Sequence, residues 1–133
     1  MTVNDPIVVA EVTAAVDAYE QALMENDVDA LDGFFWNSPL TVRYGVAENL
    51  YGFEAIADFR VGRSGGSPRR ERLRTEVVAL GADVAVANVE FRREGGRLGR
   101  QSQTWVRTPD GWKVVSAHVS LLQNGADQRL TTV

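Results

Sequence analysis

The second half of the chain sets the strongest limit on its fold. Four runs rich in strand-forming residues follow one another there, at 73–80, 83–93, 97–107 and 112–122. The links between them carry Gly81-Ala82, Gly95-Gly96 and Pro109-Asp110-Gly111. Links this short join antiparallel neighbours, because a parallel pair needs a crossover of about a dozen residues or more. The spacing therefore predicts three consecutive hairpins, an antiparallel meander.

What precedes the meander is helical. Asp5 caps and Pro6 opens a helix predicted over 6–26, since the missing N–H of proline would be unsatisfied in the first turn anyway. Val8, Val12, Ala15, Val16, Tyr19 and Leu23 recur at spacings of three and four and form one apolar stripe. Glu11, Asp17, Glu20 and Gln21 fall largely outside it, and Asp17 and Glu20 read as a solvated face. A short second helix is expected over 29–35, ended by Trp36-Asn37-Ser38-Pro39, because the residue before a proline disfavours helix. A strand over 40–44, a turn at 47–49, a brief segment at 50–52 and a third helix over 53–60 follow. Ser64-Gly65-Gly66-Ser67-Pro68 is the clearest loop, and it leads into the basic stretch Arg69, Arg70, Arg72 and Arg74, read as a soluble loop and strand edge. The tail after Gln123 is polar and reads as loose.

Helices first and a long meander last imply an α+β layer arrangement with the helices on one face of the sheet. Such a sheet, strongly bent, wraps the first helix as a cone and leaves a pocket between them. The 133 residues suit one domain, 1–133, with no linker long enough to divide it. A net charge of −4 gives no basic footprint for nucleic acid. The chain has no cysteine, so disulfides and thiolate metal sites are ruled out, which fits a reducing compartment. The first residues lack a basic n-region, and Glu11 and Asp17 interrupt the apolar patch, so neither a signal peptide nor a membrane-spanning helix is expected. A cytoplasmic protein without membrane partners is the expectation. His118 is the single histidine, so no multi-histidine metal site can form within one chain.

Two residues stand out as candidates for chemistry. Tyr19 lies on the inner stripe of the first helix, as a core tyrosine bonded to a neighbour or as a pocket donor that stays protonated at neutral pH. Arg43 sits in the short apolar run Leu40-Thr41-Val42-Arg43-Tyr44, on the face opposite Val42. There it is either a solvated arginine or, on the concave side, a cation that needs an anion. His118 shares an alternation set with Trp112, Val114, Ser116 and Ser120, and Gln101, Gln103 and Trp105 share a face of the preceding strand. Neither phosphate-loop spacing nor a Ser-His-acid triad is present.

Three stretches carry a family likeness: Glu11 to Ala15 with Tyr19-Glu20 and Ala22-Leu23; Thr41-Val42-Arg43-Tyr44-Gly45-Val46-Ala47-Glu48-Asn49-Leu50-Tyr51-Gly52; and Gly99-Arg100-Gln101-Ser102-Gln103-Thr104-Trp105-Val106-Arg107 continuing through Gly111-Trp112 to Ser120. In these the chain resembles the AtzH-like family, some of whose relatives are labelled oxalurate-catabolism protein HpxZ. The resemblance implies the cone fold shared with ketosteroid isomerase and the SnoaL-like polyketide cyclases. It also implies a decarboxylating amidohydrolase acting on a small anionic carboxylated urea, of the dicarboxyurea type, in cyanuric acid or ureide catabolism. The family's helix-one tyrosine and strand-one arginine match Tyr19 and Arg43. Around that pair, Phe35, Trp36, Phe59, Gln103, Trp105 and His118 are the expected lining, with no metal and no cofactor. Against ketosteroid isomerase itself, Arg43-Tyr44 stands without an acidic base, which argues against carbon-acid isomerisation. Other readings are a non-catalytic carboxylate binder, an accessory subunit of a neighbouring amidase, or a cyclase for larger apolar substrates. A homodimer is expected by analogy, through the outer sheet face fed by the apolar run from Val84 to Phe91.

Overall fold

The computed structural model describes residues 1–63 and 65–123, so the expectation for the tail beyond Gln123 lies outside the described residues. The first helix, α1, spans Pro6–Glu25. The Asp5 carboxylate accepts the Ile7 N–H at 2.9 Å, and Asn26 ends the helix in the left-handed region at φ 53°. Val8, Val12, Val16, Tyr19 and Leu23 are buried along one side, as the stripe predicts. A short helix, α2, follows at Val28–Gly33, capped by the Asp27 carboxylate on the Ala30 N–H. Then come β1 at Val42–Tyr44, β2 at Asn49–Tyr51 and α3 at Phe53–Gly62. The meander is β3 at Arg70–Leu80, β4 at Val84–Arg93, β5 at Leu98–Thr108 and β6 at Gly111–Leu121.

The six strands form one curved, open sheet in the order β2-β1-β6-β5-β4-β3, with the helices against its concave face. The three hairpins are antiparallel, as their turns require. The β1–β6 contact is parallel, with Val42 opposite Ser116, Arg43 opposite Ala117 and Tyr44 opposite His118. Ala117 is buried, so its neighbour Arg43 also points to the concave side.

Two bulges set which side chains face inward. In β3, Arg72 opposes Phe91 but Arg74 opposes Glu90, so Leu73 is an extra residue. Arg70 and Arg72 therefore share the inner face with Thr75, Val77 and Ala79, and the strand begins three residues before the expected start at Leu73. In β6, Thr104 opposes Ser116 but Trp105 opposes Val114, so Val115 is the extra residue. Inward alternation stops at Val114 and resumes at Ala117 and Val119. The single alternation set from Trp112 to Ser120 is thus broken, and His118 turns to the convex face. Of the apolar run in β4, Ala85, Ala87, Val89 and Phe91 are buried inside, while Val84 and Val86 lie on the convex face. No described helix is long and apolar enough to cross a membrane.

Candidate functional site

Between the C-terminal half of α1 and the far end of the meander lies a cavity of about 260 Å³. Tyr19 and Leu23 line it from α1, Arg43 from β1, and Gln101 and Val119 from the sheet. Tyr19 and Arg43, paired by the family likeness, both line this cavity. Tyr19 is held by edge contacts to Phe34 and a tilted contact to Phe35, at ring separations of 5.8 and 6.2 Å. Its hydroxyl has no hydrogen-bond partner among the described residues.

Arg43 is 12% exposed and donates through Nη1 to Glu48 Oε1 at 3.0 Å. Only that nitrogen has a side-chain partner among the described residues, so the rest of the fork remains for a ligand. Glu48 is placed by a tight turn: the Gly45 N–H donates to the Glu48 carbonyl at 2.8 Å, and Glu48 Oε2 accepts the Ala47 N–H at 3.2 Å. The carboxylate folds directly over Gly45, where a Cβ would stand 1.7 Å from Oε1. The glycine after Arg43-Tyr44 is therefore what lets Glu48 reach Arg43.

Glu20 departs most from expectation. It is buried, and both its oxygens accept from Arg70, from Nε at 2.8 Å and Nη2 at 2.6 Å. The sheet edge folds over the last turns of α1 and converts a position outside the apolar stripe into half of a buried ion pair. The Arg70 guanidinium also stacks on Phe91 at 4.3 Å and donates to Gln101 Oε1 at 3.3 Å. Phe91 has room because Gly99 opposes it, where a Cβ would meet the Phe91 ring at 2.3 Å. The basic stretch thus supplies a cavity wall and not merely a soluble edge.

Arg60, on α3, was missed by the sequence argument. Its side chain is 9% exposed and lies over the Phe35 ring at 4.9 Å, 3.3 Å from Asp32 Oδ1. Its Nη2 is sealed with no hydrogen-bond partner among the described residues. Burial pulls its pKa down first, with Arg43 and Arg63 adding to that and Tyr19 and Asp32 opposing. Burial likewise pushes the Asp32 carboxyl up, against the pull of Arg60. Nothing in the local sequence of α3 marks Arg60 as inward, because it depends on how α3 packs beside α2.

The remaining expected lining residues fall elsewhere. Trp105 has no exposed surface, sits 6.1 Å from Phe34, and donates its indole N–H to Gln103 Oε1 at 3.2 Å. Both residues belong to the core, and Gln101, one step nearer the open end, lines the cavity instead. Phe35 makes an extended bridge to Val114 and faces in, so its neighbour Trp36 faces out into a separate groove with Phe53, Pro109 and Lys113. Phe59 is half-buried beneath Arg43 and Arg63, at 5.8 and 5.6 Å from their guanidinium carbons, and supports those arginines without lining the cavity. His118 is exposed on the convex side, edge-on to Tyr44 at 5.7 Å, because of the β6 bulge.

With this geometry in view, the family model of the AtzH-like proteins matches residues 1–125. The chain belongs to the AtzH-like family. A crystal structure of a protein of unknown function from Pectobacterium atrosepticum superposes with a TM-score of 0.87 at 50% identity, over 91% of this chain and 95% of that one. A cystatin-like fold protein from Burkholderia xenovorans gives 0.87 at 49% identity, over 92% and 97%. A nuclear transport factor 2-like superfamily protein from Salmonella enterica gives 0.71 at 23% identity, over 90% and 95%, a likeness of fold alone. No protein of curated function matches the sequence.

Proposed function

We propose that the cavity is the active site of a cofactor-free, decarboxylating amidohydrolase for a small anionic carboxylated urea. The observation that carries this reading is that Tyr19 and Arg43 line one small cavity, the first with an unpartnered hydroxyl and the second with unused donors. Arg43 holds the substrate carboxylate by charge-assisted hydrogen bonds. The Tyr19 hydroxyl gives a proton to the urea nitrogen as the bond from that nitrogen to the carboxylate carbon breaks and carbon dioxide leaves. The bonding electrons stay on nitrogen, where the new N–H forms. Neither step calls for a metal or an organic cofactor. The volume suits a molecule of this size.

The test is turnover of freshly generated carboxylated ureas, read as carbon dioxide release above the spontaneous rate. Wild-type protein is expected to accelerate release. Arg43→Ala is expected to lose it through weakened binding, and Tyr19→Phe through a lowered kcat. Full turnover in Tyr19→Phe would remove the tyrosine from the mechanism. No acceleration by wild-type protein would leave a carboxylate-binding or accessory role beside a neighbouring amidase. For a homodimer, the convex face offers Val78, Val84, Val86 and Val106 in adjacent strands, and sedimentation of wild type against Val86→Glu decides it.

A further inference from the structure

Glu48 is the one carboxylate among the described residues that line the cavity, and it shares that lining with Arg43, Arg63, Arg70 and Arg93. Arg70 is matched from behind, by Glu20 at 2.6 Å. One carboxylate therefore serves three guanidinium groups. It stands on Arg43, at 3.0 Å, while Arg63 and Arg93 are half-buried with no carboxylate within ion-pair distance among the described residues.

The two unmatched arginines are fixed in place. Arg63 rests against the same ring as Arg43: their guanidinium carbons stand 5.6 and 5.8 Å from the centre of Phe59. Arg63 Nη1 donates to Ser67 Oγ at 3.3 Å, and the Ser67 N–H is pinned to Asn26 Oδ1 at the end of α1, at 3.0 Å. Gly66, at φ 68°, permits this approach, since a Cβ there would meet Asn26 Oδ1 at 2.1 Å. Arg93 closes β4 directly opposite Arg70 in the ladder. Burial, then neighbouring arginines, lower the pKa of both groups, and in both Glu48 is the carboxylate that opposes the fall. Glu48 itself is lightly held. One hydrogen bond joins it to Arg43, and its other oxygen accepts the exposed Ala47 N–H at 3.2 Å, a contact that water can replace.

We propose that Glu48 is a transferable counter-ion: when a ligand carboxylate takes Arg43, the Glu48 side chain swings onto Arg63 and Arg93. The count of charges drives the step. A ligand arriving with Glu48 still in place would put two anions on one guanidinium while two other guanidinium groups have none. Transfer gives each anion its own cation. The glutamate that occupies Arg43 in the empty cavity thus helps to hold the filled one, and its swing ties the turn after β1 to the end of α3. The proposal rests on the reading of Arg43 as the ligand anchor, but it concerns a movement of the protein and not the chemistry of the substrate.

The experiment is a mutant cycle read by calorimetric titration with acetate at fixed ionic strength, so that screening is equal throughout. With Glu48 present, the double variant Arg63→Gln/Arg93→Gln is expected to bind acetate roughly three- to fivefold more weakly than wild type, the worth of a partly exposed ion pair. In a Glu48→Gln background the same two substitutions should leave acetate affinity unchanged, because no carboxylate remains to be received. An equal loss in both backgrounds would overturn the transfer, since the arginines would then act on the ligand directly, and so would no loss in either. A crystal structure of the acetate complex gives a second reading: Glu48 should lie within ion-pair distance of Arg63 or Arg93, and finding it anywhere else overturns the proposal. Thermal melts of each variant separate misfolding from lost contacts. Failure of the catalytic reading looks different: the acetate cycle intact, with no turnover of any carboxylated urea.

Discussion

Near the Gly81 turn, Ala79, Ala85, Trp105 and Val114 lie side by side across β3, β4, β5 and β6, and none has exposed surface. Toward the other end of the same strands, the inward positions are Arg70 and Arg72 on β3, Phe91 and Arg93 on β4 and Gln101 on β5. One backbone ladder thus carries a closed apolar end and an open cationic end. The closed end gains stability from area removed from water and from close packing. The open end works against it, because desolvated charges cost free energy unless matched: Arg43, Arg60, Arg70 and Arg72 each have a carboxylate within ion-pair distance, but Arg63 and Arg93 have none among the described residues. The apolar end holds the fold, while the other end keeps Arg63 and Arg93 without a carboxylate partner among the described residues.

The largest expected effect breaks the comparison at its closed end. Trp105→Ala deletes a fully buried indole and leaves the Gln103 side chain without its only hydrogen-bond partner among the described residues. A loss of about 3–5 kcal/mol is expected, read from urea unfolding. Acetate affinity per folded molecule should stay near wild type, since Trp105 does not line the cavity. A stable Trp105→Ala protein that no longer binds anions would show that the two ends are not separable.

A smaller effect sharpens the comparison at the open end. Glu48→Gln removes the carboxylate that competes with a ligand for Arg43. Stability should change by less than about 1 kcal/mol, as for other partly exposed pairs. Acetate affinity should rise several-fold in the same titration. Gly45→Ala should act in the same direction, because its Cβ displaces the Glu48 carboxylate. A fall in affinity in both variants would make Glu48 a part of the receptor and not a rival to its ligand.

What was legible in the sequence divides along the same line. The α1 stripe, the three hairpins and the pairing of Tyr19 with Arg43 follow from periodicity, short turns and the family likeness, all of which are local or shared patterns. The bulges at Leu73 and Val115 are not local signals. Each shifts alternation by one residue, and with it the facing of Arg70 or His118. Glu20 and Arg60 needed the packing of distant elements to become inward, Glu20 under β3 and Arg60 beside α2. Gln103 and Gln101 look equivalent by alternation, and only distance along the cone separates a core amide from a cavity amide. The expected lining thus erred toward large aromatic residues, which build the closed end, and away from the arginines that build the open one.

The smallest effect concerns a surface contact that ties α1 to the closed end. Glu11 Oε1 accepts from the Trp112 indole at 3.0 Å and lies 2.9 Å from Arg107 Nη2, whose guanidinium rests over the Trp112 ring at 4.7 Å. The indole hydrogen bond, then Arg107, holds the Glu11 carboxyl below the ordinary glutamate range. A depressed carboxyl adds stability above about pH 4.3, where the unfolded side chain titrates, and that contribution disappears as pH falls through the lower folded value. Asp32 acts with the opposite sign: burial raises its pKa, so ionising it costs stability as pH climbs from the unfolded value to the folded one. Thermal melts between about pH 3 and pH 6 should therefore show a shallower acid-side fall in Tm for Glu11→Gln than for wild type, and a steeper one for Asp32→Asn. The Glu11 difference should shrink in high salt, because that contact is solvent-exposed. Identical acid-side slopes for wild type and Glu11→Gln would mean that Trp112 is held by packing on Arg107 alone.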